Sequence, residues 1–446
     1  MGNVMEGTDG WSRTCRLGEV TKEMNGKPVT VMGFVREIRD VGKLKFVLLA
    51  DITGTMQVTF KEGTKAFNAV SDITRESAIG VKGTVSAGGR AASGIEIIPD
   101  EIKVFSRAEP KLPIQVYGKT DALLDTRMDW RFLDIRKPKN ALIFKVQTTI
   151  EAAMREYWIK QGFIEIHSPK LMGAPSESGA ELFPVIYFDK TAFLAQSPQF
   201  YKQMAICAGL DRVFEIGPVF RAEPSNTTRH ATEFTSVDME MAWIESHEDI
   251  MKFEEEWIVH VMGRVKEEHG DEIKDLYGLE VNIPSTPFPR ISFREAKDVL
   301  KQSGKGSKEE NDISSEEEKA IGEMAMEKYG SEFIFVKEYP WSIKPFYHMR
   351  KEDDPSVTKG YDLLYKGLEV TTGSQREHRY DILMKQAKEK GLSEDNVGFY
   401  TDFFRYGAPP HGGFGFGLSR LVKQMLNIEN IREAMFAFRD MKRLFP

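Results

Sequence analysis

Residues 219–241 read VFRAEPSNTTRHATEFTSVDMEM, and this stretch predicts a strand, a charged loop and a return strand. Arg221 and Glu223 are two residues apart, so on a strand their side chains point to the same face. The arginine can hold a phosphate through paired hydrogen bonds, and the glutamate can accept a hydrogen bond from an exocyclic amine. The loop adds Arg229 and His230. Together these residues predict a clamp for a nucleoside triphosphate, although the alternating charges alone are more typical of a solvated antiparallel strand.

Two carboxylates further along the chain, Asp362 and Glu369, flank a predicted tight turn at Lys366-Gly367. Across a hairpin they can converge on one divalent ion, and such hard oxygen ligands suit a Mg²⁺ ion that bridges phosphates. By their spacing alone, two strand carboxylates in salt bridges fit the pattern at least as well.

The residues Thr372-Gly373-Ser374-Gln375-Arg376 follow directly. The glycine lets the backbone approach a small ligand, while the guanidinium of Arg376 can hold a carboxylate. Gln199 and Lys202 are three residues apart on a predicted helix and therefore face the same way. If Lys202 and Arg376 meet in one pocket, that pocket prefers a small dicarboxylate. By its helix spacing alone, Lys202 is more typical of a surface lysine.

Residues 409–417 read PPHGGFGFG and precede Arg420. Their spacing is not that of the dinucleotide-binding fingerprint, and no βαβ pattern surrounds them. We interpret them as a glycine-rich turn that lays a helix bearing Arg420 beside a bound nucleotide. Tight packing of that helix against a sheet is the alternative, but it does not explain the arginine.

The spacing of apolar residues around these motifs predicts the elements of a large α+β domain. Helices are expected over 140–161, 199–208, 247–269, 378–390 and 418–426. Strands are expected over 163–167, 333–337, 346–349 and 358–365, with further strands within 181–194. The segment 303–319 is rich in Ser, Gly, Glu and Lys, and we expect it to be an exposed, mobile surface segment.

The first part of the chain alternates short apolar runs with turn residues. Five strands are expected over 29–38, 45–49, 54–60, 77–85 and 94–105, with a helix near 65–70. Five strands in this length predict a small closed barrel of the OB type, a fold that often binds single-stranded nucleic acid. Phe34, Arg36 and Phe46 are the side chains available for such binding, although each phenylalanine alone is more typical of barrel core.

The expected organisation is therefore a barrel domain over 1–107, a linker over 108–130 and a larger domain over 131–446. Pro110 and Pro113 indicate an extended conformation for the linker. Residues 284–340 carry weaker patterns, and we expect them to be a variable insertion.

Composition narrows the class of protein. At 446 residues with 41% hydrophobic side chains, the chain is expected to form two or three domains. Cys15 and Cys207 fit neither a zinc spacing nor a disulfide framework, so a reducing cytoplasm is the expected location. No apolar run reaches the roughly 18 residues of a membrane span, so no membrane partner is expected. The net charge of -7 argues against wholesale non-specific nucleic-acid binding but allows a local basic surface.

Three motifs stand in order along the chain: Gly-Phe-Ile-Glu-Ile-His-Ser-Pro at 162–169, Phe-Arg-Ala-Glu at 220–223 and His-Gly-Gly-Phe-Gly-Phe-Gly-Leu-Ser-Arg at 411–420. In these motifs the chain resembles the class II aminoacyl-tRNA synthetases, and among them the aspartyl-tRNA synthetases of archaeal and eukaryotic type. The resemblance runs from about Gly18 to Pro446. Any one motif can arise by chance, whereas all three in this order behind a barrel are highly specific.

The resemblance implies an α+β fold in which an N-terminal five-stranded OB-fold β-barrel reads the anticodon and a class II antiparallel sheet flanked by helices is catalytic. It implies a homodimer built through the first motif, in the cytoplasm, with ATP, Mg²⁺, L-aspartate and tRNA as ligands. The implied reaction activates aspartate to aspartyl-adenylate and transfers it to the 3′ end of the aspartate tRNA.

The resemblance also implies a role for individual residues. Catalysis would involve Arg221 and Arg420. ATP would be contacted by Arg221, Glu223, Arg229, His230, Glu369 and Arg420. Aspartate would be bound by Glu177, Gln199, Lys202, Arg221, Asp238, Thr372 and Arg376. Mg²⁺ would be held by Asp362, Glu369 and Thr372. The anticodon would be contacted by Arg36, Phe46, Gln57 and Glu96.

Three positions depart from the family pattern: Ser419 stands where a glutamate usually precedes Arg420, Ser374 stands where a second glycine is usual, and Phe438 stands where a proline is usual near the end of the chain. The missing glutamate would orient Arg420, so a catalytically weakened RNA-binding paralogue is one alternative, supported by Ser419 alone. The nearer alternative is an asparaginyl-tRNA synthetase. An amide would leave Lys202 and Arg376 poorly satisfied, which favours aspartate. The sequence leaves open whether the asparagine tRNA is charged as well.

Overall fold

The computed structural model describes residues 7–8, 10–88, 91, 93–118, 121–173, 181–224 and 227–446, with side chains at all of these except 7, 8, 395 and 396. The chain forms two compact units, Met1–Ala141 and Leu142–Pro446. None of the described helices combines the length and the apolar character needed to cross a membrane.

The first unit contains a closed five-stranded barrel of order β3-β4-β5-β7-β6. The strands of this unit are β1 (Gly7–Thr8), β2 (Trp11–Ser12), β3 (Pro28–Asp40), β4 (Leu44–Asp51), β5 (Gly54–Lys61), β6 (Ala78–Ala87) and β7 (Ile95–Ser106). The helices are α1 (Lys65–Ala69), α2 (Leu124–Asp129) and α3 (Arg131–Asp134), with 3-10 turns at Leu17–Glu19 and Lys22–Met24. Neighbouring barrel strands are antiparallel, except that β5 and β7 are parallel. The predicted OB-type barrel is confirmed, and each predicted strand begins and ends within two residues of the observed one.

Alternation of side chains along the strands fills the barrel. Val31 and Val35 of β3 are fully buried, as are Val47 and Leu49 of β4. Side chains two apart on a strand share a face, so these residues meet inside the barrel and the residues between them face outward. The period-two pattern therefore determined both the strands and the core of this unit.

The end of the predicted linker, 108–130, differs from the structure, because α2 occupies part of it. The fully buried Asp134 accepts hydrogen bonds from Arg127 Nε at 2.9 Å, from Arg131 Nη1 at 2.6 Å and from Asn140 Nδ2 at 3.0 Å. Buried charges of this kind are tolerated when they are paired and hydrogen-bonded. The sequence did not reveal these helices because charged residues take the buried positions.

The second unit is an eight-stranded sheet flanked by helices, with the order β14-β15-β16-β17-β18-β13-β12-β8. Its strands are β8 (Ile164–Glu165), β9 (Leu171–Met172), β10 (Pro184–Tyr187), β11 (Lys190–Leu194), β12 (Arg212–Phe220), β13 (Glu233–Ala242), β14 (Arg290–Ser292), β15 (Phe333–Lys337), β16 (Gly360–Tyr365), β17 (Leu368–Gln375) and β18 (His411–Gly417). Its helices are α4 (Pro138–Lys160), which begins before the unit boundary, α5 (Gln199–Cys207), α6 (His247–Tyr277), α7 (Phe293–Gln302), α8 (Ser315–Tyr329), α9 (Tyr380–Glu389), α10 (Glu394–Arg405) and α11 (Leu418–Met425), with a 3-10 turn at Ile431–Ala434. Strands β9, β10 and β11 form a separate small sheet. The large sheet is antiparallel apart from the pairs β14–β15 and β12–β8, which confirms the predicted fold class.

Helices α4 and α6 pack on one face of the large sheet. Trp158 of α4 stacks on Trp257 of α6 with ring centres 4.8 Å apart, and Trp257 lies 5.4 Å from the ring of Phe414 on β18. Val237 and Met239 of β13 are fully buried in the same core. The side chains that alternate with these two therefore point to the opposite face of the sheet.

The glycine-rich run before Arg420 is a central strand, β18, and the predicted turn is therefore wrong. β18 pairs with β13 on one side and with β17 on the other. A Cβ atom on Gly413 would lie 2.1 Å from the Met239 carbonyl oxygen, and one on Gly412 would lie 2.3 Å from Ile250 Cδ1. The glycines thus permit close approach of neighbouring atoms within the sheet. Glycine spacing alone does not distinguish this use from a turn.

Two further predictions differ from the structure. Residues 303–312 are exposed as predicted, but the prediction is wrong for the end of that segment, where the Ser314 side chain caps α8 and both Glu317 and Glu318 are buried. In the described structure, residues 346–349 form a single bridged pair between His348 and Arg376 instead of a strand. The predicted helices are confirmed, and α6 runs past its predicted end to Tyr277.

One buried acid in this core gives a pH-dependent prediction. Glu254 of α6 accepts a hydrogen bond from the Tyr361 hydroxyl at 2.9 Å, and burial raises the pKa of Glu254 from an ordinary 4.5 to about 8. At neutral pH the folded chain therefore binds a proton that the unfolded chain has released, so this group makes folding less favourable as pH rises between these two values. Glu254→Gln removes that dependence. Relative to wild type, we expect the variant to gain up to about 1.4 kcal/mol of unfolding free energy per pH unit from pH 5 to 7. Urea unfolding at several pH values measures this difference. If the unfolding free energies of the two proteins changed with pH in parallel, the prediction would be contradicted.

Candidate active site

A cavity opens on the face of the large sheet that α4 and α6 leave uncovered. Ser236 and Asp238 of β13 line it, since they alternate with the core residues of that strand. Most of the site residues predicted from the sequence line the same cavity: Gln199, Arg221, Glu223, Arg229, His230, Asp238, Glu369, Thr372, Arg376 and Arg420. Lys202 and Asp362 are buried next to lining residues. Glu177 lies outside the described residues.

Arg221 and Glu223 lie just beyond the end of β12 at Phe220, so the prediction that both residues stand on a strand is wrong. Pro224 has no N–H group to donate to a neighbouring strand, which favours the early end. The Arg221 backbone N still donates to the Thr232 carbonyl at 2.9 Å. The Arg221 guanidinium lies 5.4 Å from the ring centre of Phe234, which also lines the cavity. Both predicted side chains therefore reach the site from an irregular segment.

Two arginines at one end of the cavity are held by carboxylates. Arg229 donates to Glu318 through Nη1 at 3.1 Å and Nη2 at 2.8 Å. Arg420 Nη1 donates to the carbonyl and to Oε1 of Glu369, at 2.9 and 3.0 Å. Ser419 is buried and lines the cavity. Arg420 is thus oriented by Glu369, although Ser419 provides no carboxylate.

His230 contributes no positive charge to this end of the cavity at neutral pH. Burial, together with the charges of Arg420 and Arg229, lowers the pKa of His230 to about 4. Its Nδ1 lies 2.8 Å from the Thr227 hydroxyl oxygen. The imidazole is therefore neutral, and the arginines provide the positive charge that an anionic ligand would meet.

Four charged side chains are buried together at the other end. Arg376 donates to Glu240 through Nε at 2.9 Å and Nη2 at 3.2 Å. Lys202 Nζ lies 3.0 Å from Asp238 Oδ1 and 3.5 Å from Glu240 Oε2. The two cations meet, as the sequence analysis considered, but two carboxylates balance their charge. This end of the cavity therefore has no excess positive charge that would by itself favour an acid over an amide.

Glu240 is the residue of this cluster that the sequence analysis missed. Burial alone would raise its pKa, but the charges of Arg376 and Lys202 outweigh burial and lower it, so Glu240 is ionised. It stands two residues after Asp238 on β13. The same period-two rule that joined Arg221 to Glu223 would have placed it beside Asp238.

His348 is a second missed residue. Its side chain is 2% exposed and lines the cavity, and its Nδ1 has no hydrogen-bond partner among the described residues. Burial, with the charges of Arg376 and Lys344, holds the pKa of His348 well below its ordinary value. The ring is therefore a neutral, polar part of the wall near Arg376.

The three predicted metal ligands adjoin one another on the hairpin of β16 and β17. Asp362 pairs with Thr372 across the strands, and the Thr372 hydroxyl lies 3.4 Å from Glu369 Oε1. Asp362 is bound by Lys344 at 3.1 and 3.2 Å. Burial tends to raise the pKa of Glu369, but Arg420, Lys344 and other cations outweigh it and lower the pKa. An ionised carboxylate beside a hydroxyl and a second carboxylate fits a hard cation.

The hairpin offers few protein ligands to a metal ion. Within the part of the chain that the structure describes, no group of three or more His, Cys, Asp or Glu side chains is arranged to hold a metal ion. A cation bound by this hairpin would therefore need further oxygen ligands from water or from a bound phosphate, which is the usual situation for Mg²⁺.

In the barrel, three of the four residues predicted to read the anticodon share one face. Gln57 of β5 pairs with Glu96 of β7, and Gln57 Nε2 donates to Glu96 Oε2 at 3.0 Å. Thr59 donates to the same oxygen at 2.5 Å, and Phe46 lies opposite Thr59. An aromatic ring beside a polar network can stack on a base and read its edge.

Arg36 does not belong to that face. It is buried, with Nη1 donating to Glu76 at 2.6 Å and Nη2 to the Arg136 carbonyl at 2.8 Å. Its charge is already balanced by the buried carboxylate of Glu76. The expectation that Arg36 is available on the barrel surface is therefore wrong, because the sequence does not show that Glu76 neutralises it.

Comparison with known proteins agrees with this geometry. Residues 124–441 match the family model described as tRNA synthetases class II (D, K and N), and residues 29–105 match the OB-fold nucleic acid binding domain. The chain is 47% identical over 437 residues to a Pyrococcus abyssi protein named Aspartate--tRNA(Asp) ligase, with 97% of this chain and 100% of the relative covered. It is 47% identical over 426 residues to an Aeropyrum pernix protein named Aspartate--tRNA(Asp/Asn) ligase, with 94% and 96% covered.

A solved structure is also similar over the whole chain. It is that of asparaginyl-tRNA synthetase from Pyrococcus horikoshii complexed with asparaginyl-adenylate, with a TM-score of 0.88 and 35% identity over 97% of this chain and 99% of that chain. The barrel, the sheet, the three motifs and these likenesses agree, and the chain belongs to the class II tRNA synthetases, in the family of aspartate–tRNA ligases.

Proposed function

We propose that this protein activates L-aspartate with ATP to aspartyl-adenylate and transfers the aspartyl group to the 3′ end of tRNA. One observation carries the proposal: a single cavity is lined both by Arg221, Arg229 and Arg420, whose charges act together on His230, and by Asp238 and Arg376, which belong to the cluster with Lys202 and Glu240. Such a cavity can hold a triphosphate beside an amino acid that has two carboxylates and one ammonium group.

At the ATP end, the arginines bind the phosphates as charged, forked donors. Arg221 contacts the α-phosphate, Arg229 contacts the outer phosphates with His230 beside it, and Arg420 contacts the γ-phosphate. Glu223 accepts a hydrogen bond from the adenine amine. Because His230 is neutral, it orients a phosphate by hydrogen bonding and not by charge.

At the amino-acid end, Arg376 and Gln199 face the side-chain carboxylate, and Arg221 meets the α-carboxylate. Asp238 receives the ammonium group together with Glu177. Lys202 holds the carboxylate of Asp238 in position. Its ammonium group donates to Asp238 Oδ1 at 3.0 Å and to the Phe414 carbonyl at 2.9 Å. Its contribution to specificity is therefore to hold Asp238 in place.

The reaction follows from this placement. The substrate α-carboxylate attacks the α-phosphorus in line, and pyrophosphate leaves. Arg221 and Arg420 hold the reacting groups and stabilise the charge that develops on the phosphoryl oxygens. The 3′-terminal hydroxyl of tRNA then attacks the carbonyl carbon of the adenylate, and AMP leaves.

Asp362, Glu369 and Thr372 are the residues that would hold Mg²⁺. When bound there, the ion supplies neutralisation of charge on the phosphates. Glu369 has a second task, since it also accepts two hydrogen bonds from Arg420.

We propose that the barrel binds the anticodon through Phe46, Gln57 and Glu96. We also propose that the protein is located in the cytoplasm. A homodimer is proposed through the first motif and the end of α4 that precedes it, because Ile164 and Ile159 leave 48% and 62% of their surfaces exposed there. Sedimentation equilibrium that gives twice the mass of the chain would support the dimer, and the mass of one chain would contradict it.

A second candidate function, activation of asparagine, is favoured by the balanced charges around Lys202 and by the likeness to the asparaginyl enzyme. Which tRNAs the protein charges is a separate question, since one of the two archaeal relatives is named for tRNA(Asp) and the other for tRNA(Asp/Asn). Charging of both purified tRNAs with labelled aspartate distinguishes the two ranges.

Exchange of labelled pyrophosphate into ATP tests the proposal. We expect exchange that depends on aspartate and is at least about 100-fold less efficient with asparagine, because a site built to bind one polar group strongly disfavours an analogue that pairs poorly with it. Exchange with asparagine instead would establish the second candidate. No exchange with either amino acid would contradict both and leave the weakened paralogue.

A further inference from the structure

Helix α8 places a buried carboxylate, that of Glu318, behind Arg229, which lines the cavity. Nη1 of Arg229 donates to Oε2 at 3.1 Å and Nη2 donates to Oε1 at 2.8 Å. The side chain of Glu318 is 5% exposed and that of Arg229 is 21% exposed. This is the two-pronged arrangement in which an arginine and a carboxylate hold one another in a fixed orientation.

The same carboxylate also contacts the hairpin that carries Glu369. Oε2 of Glu318 accepts a hydrogen bond from the Glu369 backbone N at 3.1 Å. Glu369 in turn accepts two hydrogen bonds from Arg420. Glu318 therefore links Arg229 to the residue that orients Arg420, and both arginines line the cavity.

Close packing of α8 on the turn between β16 and β17 fixes the position of Glu318. A Cβ atom on Gly322 would lie 2.5 Å from the Gly367 backbone N, and one on Gly367 would lie 2.8 Å from the Cα of Lys319. Two glycines are thus needed for the helix to approach the turn this closely. The side chain of Ser314 caps the start of the helix. The carboxylate is consequently carried by a rigid element.

We propose that Glu318 is a positioning residue for ATP, which holds the guanidinium of Arg229 towards the outer phosphates and couples it to the backbone of Glu369. The inference rests on the proposed ATP site. Glu318 takes one N–H from each terminal nitrogen of Arg229, whereas a guanidinium has five N–H groups. Nε of Arg229 is buried and has no hydrogen-bond partner among the described residues. Donors remain for a phosphate while Glu318 stays bound, so the carboxylate orients the arginine and does not block it.

An arginine that is already held in one rotamer loses less conformational entropy when its ligand binds. Glu318→Gln keeps the volume of the side chain but removes its charge and replaces one acceptor oxygen with a donor group. We therefore expect the KM for ATP to rise about 10-fold in pyrophosphate exchange, the KM for aspartate to stay within about twofold, and Tm to fall by no more than a few degrees.

Glu317 offers a matched control. It is the preceding residue, is also buried, and is paired with Lys297 at 2.9 Å and with the backbone N of Ser307 at 3.0 Å. Neither glutamate is among the described residues that line the cavity, but Glu318 contacts Arg229, which does, whereas Lys297 and Ser307 do not line it. Glu317→Gln is expected to lower Tm at least as much as Glu318→Gln and to leave the KM for ATP unchanged. Equal KM changes in the two variants would reduce Glu318 to a structural residue of α8.

A double variant tests whether Glu318 acts through Arg229. If it does, Arg229→Ala and Arg229→Ala with Glu318→Gln have the same KM for ATP, because the partner of the carboxylate is already gone. Additive losses would overturn the inference and would point to direct contact of Glu318 with the metal or the nucleotide. Glu318→Asp retains the charge and is expected to recover part of the lost affinity.

Calorimetric titration with ATP and Mg²⁺ separates this inference from the proposed activity. If wild type binds ATP but supports no exchange, aminoacylation is contradicted, while weaker ATP binding by Glu318→Gln than by Glu317→Gln still supports the positioning role. If wild type supports exchange and Glu318→Gln binds ATP as wild type does, the inference about Glu318 alone is overturned.

Discussion

Arg221→Ala is expected to lower aspartate-dependent pyrophosphate exchange by about 10³-fold or more, because a positioned arginine stabilises the charge of a transferring phosphoryl group. In the proposed reaction Arg221 contacts both reacting groups, the α-phosphate and the substrate carboxylate. The side chain is exposed, so its removal is expected to change the unfolding free energy by less than about 0.5 kcal/mol. The measurement is the initial rate of exchange at saturating ATP and aspartate, with Tm recorded for the same preparation.

Arg212→Ala is the control for that variant. Arg212 is the first residue of the same strand, and its guanidinium donates to the Gln161 carbonyl at 2.8 Å, outside the described lining of the cavity. Its exchange rate is expected to equal that of wild type. If Arg221→Ala retained more than about a tenth of the wild-type rate with an unchanged Tm, Arg221 would not lie at the reacting phosphate.

Glu240→Ala is expected to have the largest effect on stability, about 3–5 kcal/mol, because it leaves the buried Arg376 without its carboxylate partner. Arg376 would lose two hydrogen bonds, and Lys202 would retain Asp238 as its carboxylate partner. Arg376 would also lose its orientation towards the cavity, so aspartate-dependent exchange is expected to fall with stability. Urea unfolding of the variant and of wild type measures the loss of stability.

Glu233→Ala, at the exposed start of the same strand, is the matched control and is expected to stay within about 0.5 kcal/mol of wild type. Glu240→Gln preserves shape but not charge. If neither substitution of Glu240 changed the unfolding free energy, the view that its ionised carboxylate balances Arg376 and Lys202 would be contradicted.

The barrel was predictable almost residue by residue. Each of its strands is short and alternates apolar with polar positions, and turn residues separate the strands, so local sequence contains the information. Phe46, Gln57 and Glu96 could be assigned through the family resemblance, and the structure places them on one face. Arg36 was misjudged because its partner, Glu76, is distant in sequence and the pairing arises from the closed barrel.

The candidate site was predictable to a lesser degree. The residue types of an ATP and amino-acid site stand in recognisable motifs, and most of the named side chains line one cavity. The errors have a common origin: the residues that surround each of these positions in the folded chain are distant in the sequence. Glycines that belong to a central strand resemble a turn, and acidic residues of α8 that are buried in the fold resemble a solvated segment.

The sequence by itself determined the fold class, the family and the chemical types of the site residues, because periodicity and motif spacing are properties of neighbouring positions. The tertiary structure decided which charges are paired. Glu240 neutralises Arg376 across 136 positions of the chain, Glu318 holds Arg229 across 89, and Glu369 holds Arg420 across 51. Whether a buried cation is available to a substrate depends on the carboxylate that the fold brings within about 3 Å, since the interaction of two charges falls off with their separation and rises with burial.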